Sequence, residues 1–204
     1  MNRLAAYAAI QPEERVLAGR VGGWMYALGG MTVPSFLLLP RAHAAWVLGL
    51  GGAALAWGLM MAVLIDWRRA PVWLIHVSAI VGFGVVAGVV ASSGGTESPG
   101  WLYLYFITVF AAYFFPPRLT ALYVATCVLT QSLPLTYDQH WSQSHYIVEL
   151  VIALPSYVVF GAMISLGKRL MRRLHDRAKR LAAEQSSLRR IATAVIEGES
   201  SQDV

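Results

Sequence analysis

AAWVLGLGGAALAWGLMMAVLI, residues 44–65, contains no charged side chain from end to end. An α-helix rises about 1.5 Å per residue and the hydrocarbon core of a bilayer is roughly 30 Å thick, so this stretch predicts a transmembrane helix. Within it Ala54, Gly58 and Ala62 recur every four residues. Such a small-residue stripe lets a second helix backbone come close.

Apolar runs of the same kind flank this one. Before it, Val21 to Leu39 forms a first span containing Pro34. After Asp66-Trp67-Arg68-Arg69, Pro71 opens a third span to about Ala91, with Gly84 and Gly88 as a GxxxG pair. The turn SSGGTESPG leads to a short aromatic fourth span, Trp101 to Phe115, stopped by Pro116-Pro117-Arg118. A fifth span, Leu119 to Leu135, follows so closely that spans four and five predict a tight helical hairpin. The sixth runs from Tyr146 to Leu166 and is interrupted by Pro155.

Composition agrees with this reading. The 204-residue chain is 57% hydrophobic and 13% charged, against about 25% charged residues in soluble domains. The expected fold class is all-α: a polytopic membrane protein with six transmembrane helices over residues 21–166. Residues 1–20, too polar at Gln11 to Arg15 for the core of a signal peptide, form either a short interfacial helix or a frayed tail. The lone cysteine, Cys127, excludes an intramolecular disulfide and reads as a small buried hydrophobe.

The net charge of +5 reports topology rather than nucleic-acid binding. With six spans and both ends inside, fifteen Lys and Arg fall on the cytoplasmic side and only Arg41 falls outside. Positive residues are retained on the cytoplasmic side of membrane proteins, so the expected location is a bacterial inner membrane with both termini cytoplasmic.

From Gly167 the composition changes to that of a soluble helix. Leu174, Leu181, Leu188 and Val195 lie seven apart, with Met171, Ala178, Gln185 and Ala192 at companion positions. This a/d pattern predicts a coiled-coil signalling helix over residues 167–197 and a parallel homodimer. The alternative is a solvated juxtamembrane helix held at anionic lipid by Lys168, Arg169, Arg172 and Arg173.

One cluster carries candidate chemistry. Gly94, Gly95, Thr96, Glu97, Ser98, Pro99 and Trp101 form the turn into span four, while Asp138, His140, Trp141, His145 and Glu149 surround the start of span six. All fall on the outer side. The glycines permit backbone conformations closed to other residues, the aromatics suit an apolar wall, and Glu149 is a carboxylate that is costly at membrane depth. The bland reading is a tight connection with aromatic anchors and no ligand. His140 and His145 are five apart and no HExxH pattern exists, so no metal site is expected. His76 reads as a buried histidine bonded to a neighbour, and haem is disfavoured because no second intramembrane histidine faces it.

The stretch SSGGTESPGWLYLYFITVFAAYFFPPR, residues 92–118, resembles the six-helix input regions attached to GAF, PAS, GGDEF or histidine kinase output modules of bacterial signalling proteins. LRRIATAVIEGESSQDV, residues 188–204, looks like the opening helix of a GAF domain, which implies that residues 198–204 begin a truncated output module. GGTESPG is similar to the GGxxNPF loop of redox-responsive six-helix sensor kinases, which is associated with quinone binding. Gly94, Gly95 and Pro99 match, whereas Ser98 replaces asparagine and Gly100 replaces phenylalanine. The resemblance implies a quinone or another lipophilic ligand.

No phosphate loop, GGDEF or EAL signature, or kinase phosphoacceptor region occurs, so no catalytic residue is expected within this chain. A missing output module would supply any diguanylate cyclase, phosphodiesterase or histidine kinase activity. The sequence therefore predicts a sensory input domain that relays a small or lipophilic signal through Pro155 and the heptad row to a cytoplasmic output. A small transporter or channel subunit, or a passive anchor, stand as alternatives.

Overall fold

A computed structural model describes residues 12–139 and 145–200. Among these residues all regular structure is helical: α1 (Pro12–Thr32), α2 (Ala44–Leu59), α3 (Trp73–Ser92), α4 (Tyr103–Phe114), α5 (Pro117–Ser132), the single turn α6 (Pro134–Tyr137) and α7 (Tyr146–Ser200). Four stretches are long and apolar enough to cross a membrane: Ala44–Leu64, Trp73–Ser92, Pro117–Tyr137 and Tyr146–Ala182.

The two remaining expected spans differ in form. The first is not a helix of Val21 to Leu39: α1 starts nine residues earlier and brings Glu14, Arg15 and Arg20 into the helix. Beyond Thr32 it tightens to a 3-10 helix, Val33–Leu38, with Pro34 near its start. The fourth is divided into a 3-10 turn, Pro99–Leu102, and α4. At about 1.5 Å per residue α4 alone is roughly 18 Å long, well short of the hydrocarbon core.

α1 and α2 are antiparallel and in backbone contact. A Cβ added to Gly58 would lie 2.3 Å from the Ala27 nitrogen, one on Gly23 would lie 2.5 Å from the Ala62 nitrogen, and one on Gly30 would lie 2.5 Å from the Leu55 nitrogen. Any side chain at these points would displace backbone. The small stripe expected on α2 therefore has a matching stripe on α1.

The start of α1 and the end of the second span are tied by side chains. A π-helical turn, Met60–Leu64, ends the second span, and the buried Trp67 indole donates to the Met61 carbonyl at 2.7 Å. Gly19 makes room for the indole, since a Cβ there would lie 2.0 Å from the ring. Arg15 donates to the carbonyls of Arg68 and Ala70 at 3.1 and 3.3 Å, so it braces the α2–α3 loop as well as carrying charge.

The α4–α5 hairpin closes over Phe115 and Pro116 alone. Proline is favoured at a helix start, and Pro117 begins α5 there. The Thr120 hydroxyl donates across the hairpin to the Ala111 carbonyl at 3.0 Å. Beneath it, His76 Nδ1 shares a 3.0 Å hydrogen bond with the Tyr123 hydroxyl and the imidazole stacks on Phe115 at 4.8 Å.

α7 buries a narrow stripe, Tyr146, Ala153, Tyr157 and Gly161, and exposes Val151, Ile152, Val158 and Val159. Pro155 lies within the helix on an exposed face. The chain divides into two units, residues 1–164 and 165–204. In the second, Leu174 and Leu181 are exposed. The side chains of Leu188 and Val195 lie outside the described residues.

The glycine contacts predict opposite signs for one substitution. Gly58→Ala is expected to destabilise the chain by about 1–3 kcal/mol through backbone overpacking. Gly49→Ala meets nothing within 4 Å and is expected to be neutral or stabilising by up to about 1 kcal/mol. Reversible unfolding in mixed micelles measures both.

Candidate functional site

The turn between α3 and α4 is shaped by its glycines. Gly94 and Gly95 have φ of 116° and 61°, and among the described residues no non-glycine has positive φ. This left-handed pair reverses the chain within two residues and starts the 3-10 turn Gly95–Glu97. Ser98 then stops that turn: its hydroxyl accepts from the Gly100 nitrogen at 3.2 Å and bonds the Ser93 hydroxyl at 2.6 Å.

Asp138, just beyond α6, fixes the turn from the side. Its Oδ2 accepts from the Thr96 nitrogen at 2.9 Å and from the Thr96 hydroxyl at 2.7 Å. Charge-assisted bonds of this kind are about twice as strong as neutral ones. Gly95 must lack a side chain, since a Cβ there would lie 2.6 Å from the same oxygen. The α1–α2 loop joins through the His43 nitrogen, which donates to the Ser92 carbonyl at 2.8 Å, and through a 3.3 Å ion pair between Arg41 and Glu97. That pair is half-exposed and contributes at most about 1 kcal/mol.

These braces hold one wall of a cleft of about 410 Å³, lined by Thr96, Glu97, Ser98, Pro99, Trp101, His145, Tyr146 and Glu149. Two carboxylates, an imidazole and an indole thus converge from segments about fifty residues apart in sequence. Glu149 sits in the first turn of α7, where the helix dipole favours a carboxylate. The arrangement suits a small molecule with a hydrogen-bond-donating or cationic end and an apolar body.

Of the residues singled out from the sequence, seven line the cleft: Thr96, Glu97, Ser98, Pro99, Trp101, His145 and Glu149. Gly94, Gly95 and Asp138 shape its wall from behind. His140 and Trp141 lie outside the described residues. Among the described residues no group of three or more His, Cys, Asp or Glu is arranged to hold a metal ion.

Sequence reasoning missed the residues that attach the α7 wall to the bundle. The Tyr146 hydroxyl donates to the Gln131 backbone carbonyl, and the Tyr157 hydroxyl donates to Gln131 Oε1 at 2.8 Å. Tyr146 and Tyr157 are eleven residues apart, about three helical turns, so one residue of α5 grips α7 at two levels. A buried glutamine in an apolar span was the available signal.

Gly95→Ala places a side chain both in the left-handed region and against Asp138, and is expected to lower stability by about 1–3 kcal/mol. Asp138→Asn keeps the shape but removes the charge, and a smaller loss of about 1 kcal/mol is expected. Thermal unfolding in micelles ranks the two; an unchanged midpoint in Gly95→Ala would contradict the packing described. Compared with protein-family models, curated proteins and solved structures, the chain matches none of them.

Proposed function

We propose that this chain is the six-span sensory input domain of a bacterial inner-membrane signalling protein, with both termini in the cytoplasm. It detects a small or lipophilic molecule at the outer rim and relays its presence through a parallel homodimeric helix to a cytoplasmic output module of GAF, PAS, GGDEF or kinase type. The observation that carries this reading is the cleft wall shared by the glycine turn and the first turn of α7. A ligand that touches both Trp101 and Glu149 acts on the same helix that bears Leu174 and Leu181.

The charge distribution supports the orientation, fifteen Lys and Arg against one across the six proposed spans. The exposed row at Leu174 and Leu181 supports the dimer, because a heptad seam buries its side chains only against another helix. Pro155 supports a bending point between cleft and seam, since proline removes one helical hydrogen bond.

Two experiments test this reading. Cysteines at positions 97 and 41 in a chain otherwise free of cysteine are expected to react with impermeant maleimide from the periplasmic side; labelling from the cytoplasm alone would reverse the topology. Leu174→Cys and Leu181→Cys are expected to form interchain disulfides in membranes, and Glu149→Gln or Trp101→Ala to change their yield by about fivefold, the lower end of ordinary coupling. Crosslinking that is strong but indifferent to both cleft substitutions would identify a passive anchor instead.

A further inference from the structure

The basic residues of α7 serve neither the outer cleft nor the heptad row. From Leu150 to Gly167 this helix carries no charged residue, a run long enough to cross a bilayer. Residues 168–180 then hold seven Lys and Arg against one carboxylate, Asp176. From Leu181 to Leu188 no Lys or Arg occurs, although α7 continues to Ser200. Charge that only kept a long helix soluble would continue along it with both signs mixed. Here it is positive and concentrated where the apolar run ends.

The helical register keeps this charge away from the apolar row. At 3.6 residues per turn, positions 169, 172, 173, 179 and 180 share an arc of about 120°, opposite the arc of Met171, Leu174, Ala178 and Leu181. Asp176 is the one acid on the basic arc. Arg169, Arg173, Lys179 and Arg180 are exposed, and among the described side chains no carboxylate pairs with them. Burial of Leu174 and Leu181 against a partner helix would leave the basic arc outward. At about 1.5 Å per residue, positions 169 to 173 lie roughly 3–9 Å beyond Gly167, and position 180 roughly 20 Å beyond it.

We propose that this arc is a docking surface for the headgroups of anionic phospholipids, with Arg169, Arg172 and Arg173 as its contact residues. The headgroup layer on each side of a bilayer is about 5–7 Å deep, so these three positions fall within it or just above it. Long basic side chains can lay their stems along the apolar edge and keep their charge among the phosphates. The attraction of a basic residue to an anionic surface fades within a Debye length of about 8 Å, so Lys179 and Arg180 contribute weakly. Docking by one turn of α7 fixes the height of the helix in the bilayer and the side that it turns to lipid. The proposal rests on α7 crossing a membrane, and on neither the sensing nor the orientation proposed above.

The test uses the full chain in phosphatidylcholine nanodiscs, with Ser165→Cys as its only cysteine and a bimane attached there. Position 165 shares the basic arc, one turn before Arg169. Quenching is read with equal low proportions of phosphatidylglycerol or phosphatidylcholine, each bearing a nitroxide near the top of one acyl chain. Phosphatidylglycerol is expected to quench about fivefold more efficiently, the effect of roughly one basic residue beside anionic lipid. That ratio is expected to fall to parity in Arg169→Gln/Arg172→Gln/Arg173→Gln and in molar salt. It is expected to persist when the same three arginines are replaced by lysine, and in Arg189→Gln/Arg190→Gln, whose charges lie farther out. Parity in the embedded, unaltered chain leaves the arc to an acidic macromolecule and overturns the proposal. So does a ratio unchanged by the three glutamines, or one lost in the lysine variant. Absence of quenching by either lipid removes the membrane embedding itself and overturns the proposal with it. Parity leaves the cleft-dependent crosslinking at Leu174 and Leu181 unaffected, so the lipid and sensor readings fail separately.

Discussion

The backbone contact between α1 and α2 is the constraint on which the rest of the bundle depends. Gly23, Ala27 and Gly30 meet Gly51, Gly58 and Ala62 so closely that carbonyls and amides of one helix lie where side chains of the other would be. In an apolar solvent there is little hydrophobic gain in joining helices, and van der Waals packing has to supply the attraction. Close approach maximises it. The pair then fixes where the α1–α2 loop meets Ser92, and hence where the glycine turn sits.

Around that pair the polar atoms act as spacers and pins. Trp67 and Arg15 satisfy carbonyls freed where α2 ends in a π turn and a loop. Thr120 pins the proline hairpin, and Gln131 pins α7. The bonds of Trp67, Thr120 and Gln131 are buried, where an unmet donor or acceptor costs about 1–3 kcal/mol, so each selects one arrangement over its neighbours even where its net contribution is small.

Much of this was legible in the sequence where a residue type has a single physical use. The paired glycines of the turn permit backbone conformations closed to other residues, and both take positive φ. Paired prolines after an aromatic run predict a hairpin, and α4 and α5 form one. The reading was weaker where a rule based on apolar length meets charge. α1 carries Arg15 and Arg20 inside a helix that length alone would start at Val21, because the Arg15 guanidinium finds loop carbonyls only after the chain has folded. The α1 half of the small-residue stripe was missed for a similar reason. Gly23 and Gly30 lie seven apart rather than four, and their meaning emerges only opposite Gly51 and Gly58. The seven-residue spacing from Leu174 is visible in the sequence, and Leu174 and Leu181 are exposed in the described residues.

α7 is attached to the rest of the first unit along one side only. This helix is held by a narrow stripe, Tyr146, Ala153, Tyr157 and Gly161, while most of its circumference within the first unit is apolar and exposed. Sliding or rotation against lipid costs little, because one hydrocarbon contact is exchanged for another. What resists is specific: the two tyrosine bonds to Gln131, the contacts of Tyr157 and Phe160 with the Tyr105 ring at 4.6 and 5.6 Å, and the packing of Gly161 near Val124 and Thr108. Tyr105 in turn lies 6.0 Å from Trp101 in the cleft. The cleft therefore reaches the lower pin of α7 by two contiguous routes, through Tyr146 along the helix and through Trp101 and Tyr105 across the hairpin. Pro155 lies between the pins, where the Val151 carbonyl forgoes its usual helical partner. The one turn of α7 that lacks a helical hydrogen bond is thus bracketed by its two tyrosine attachments to Gln131.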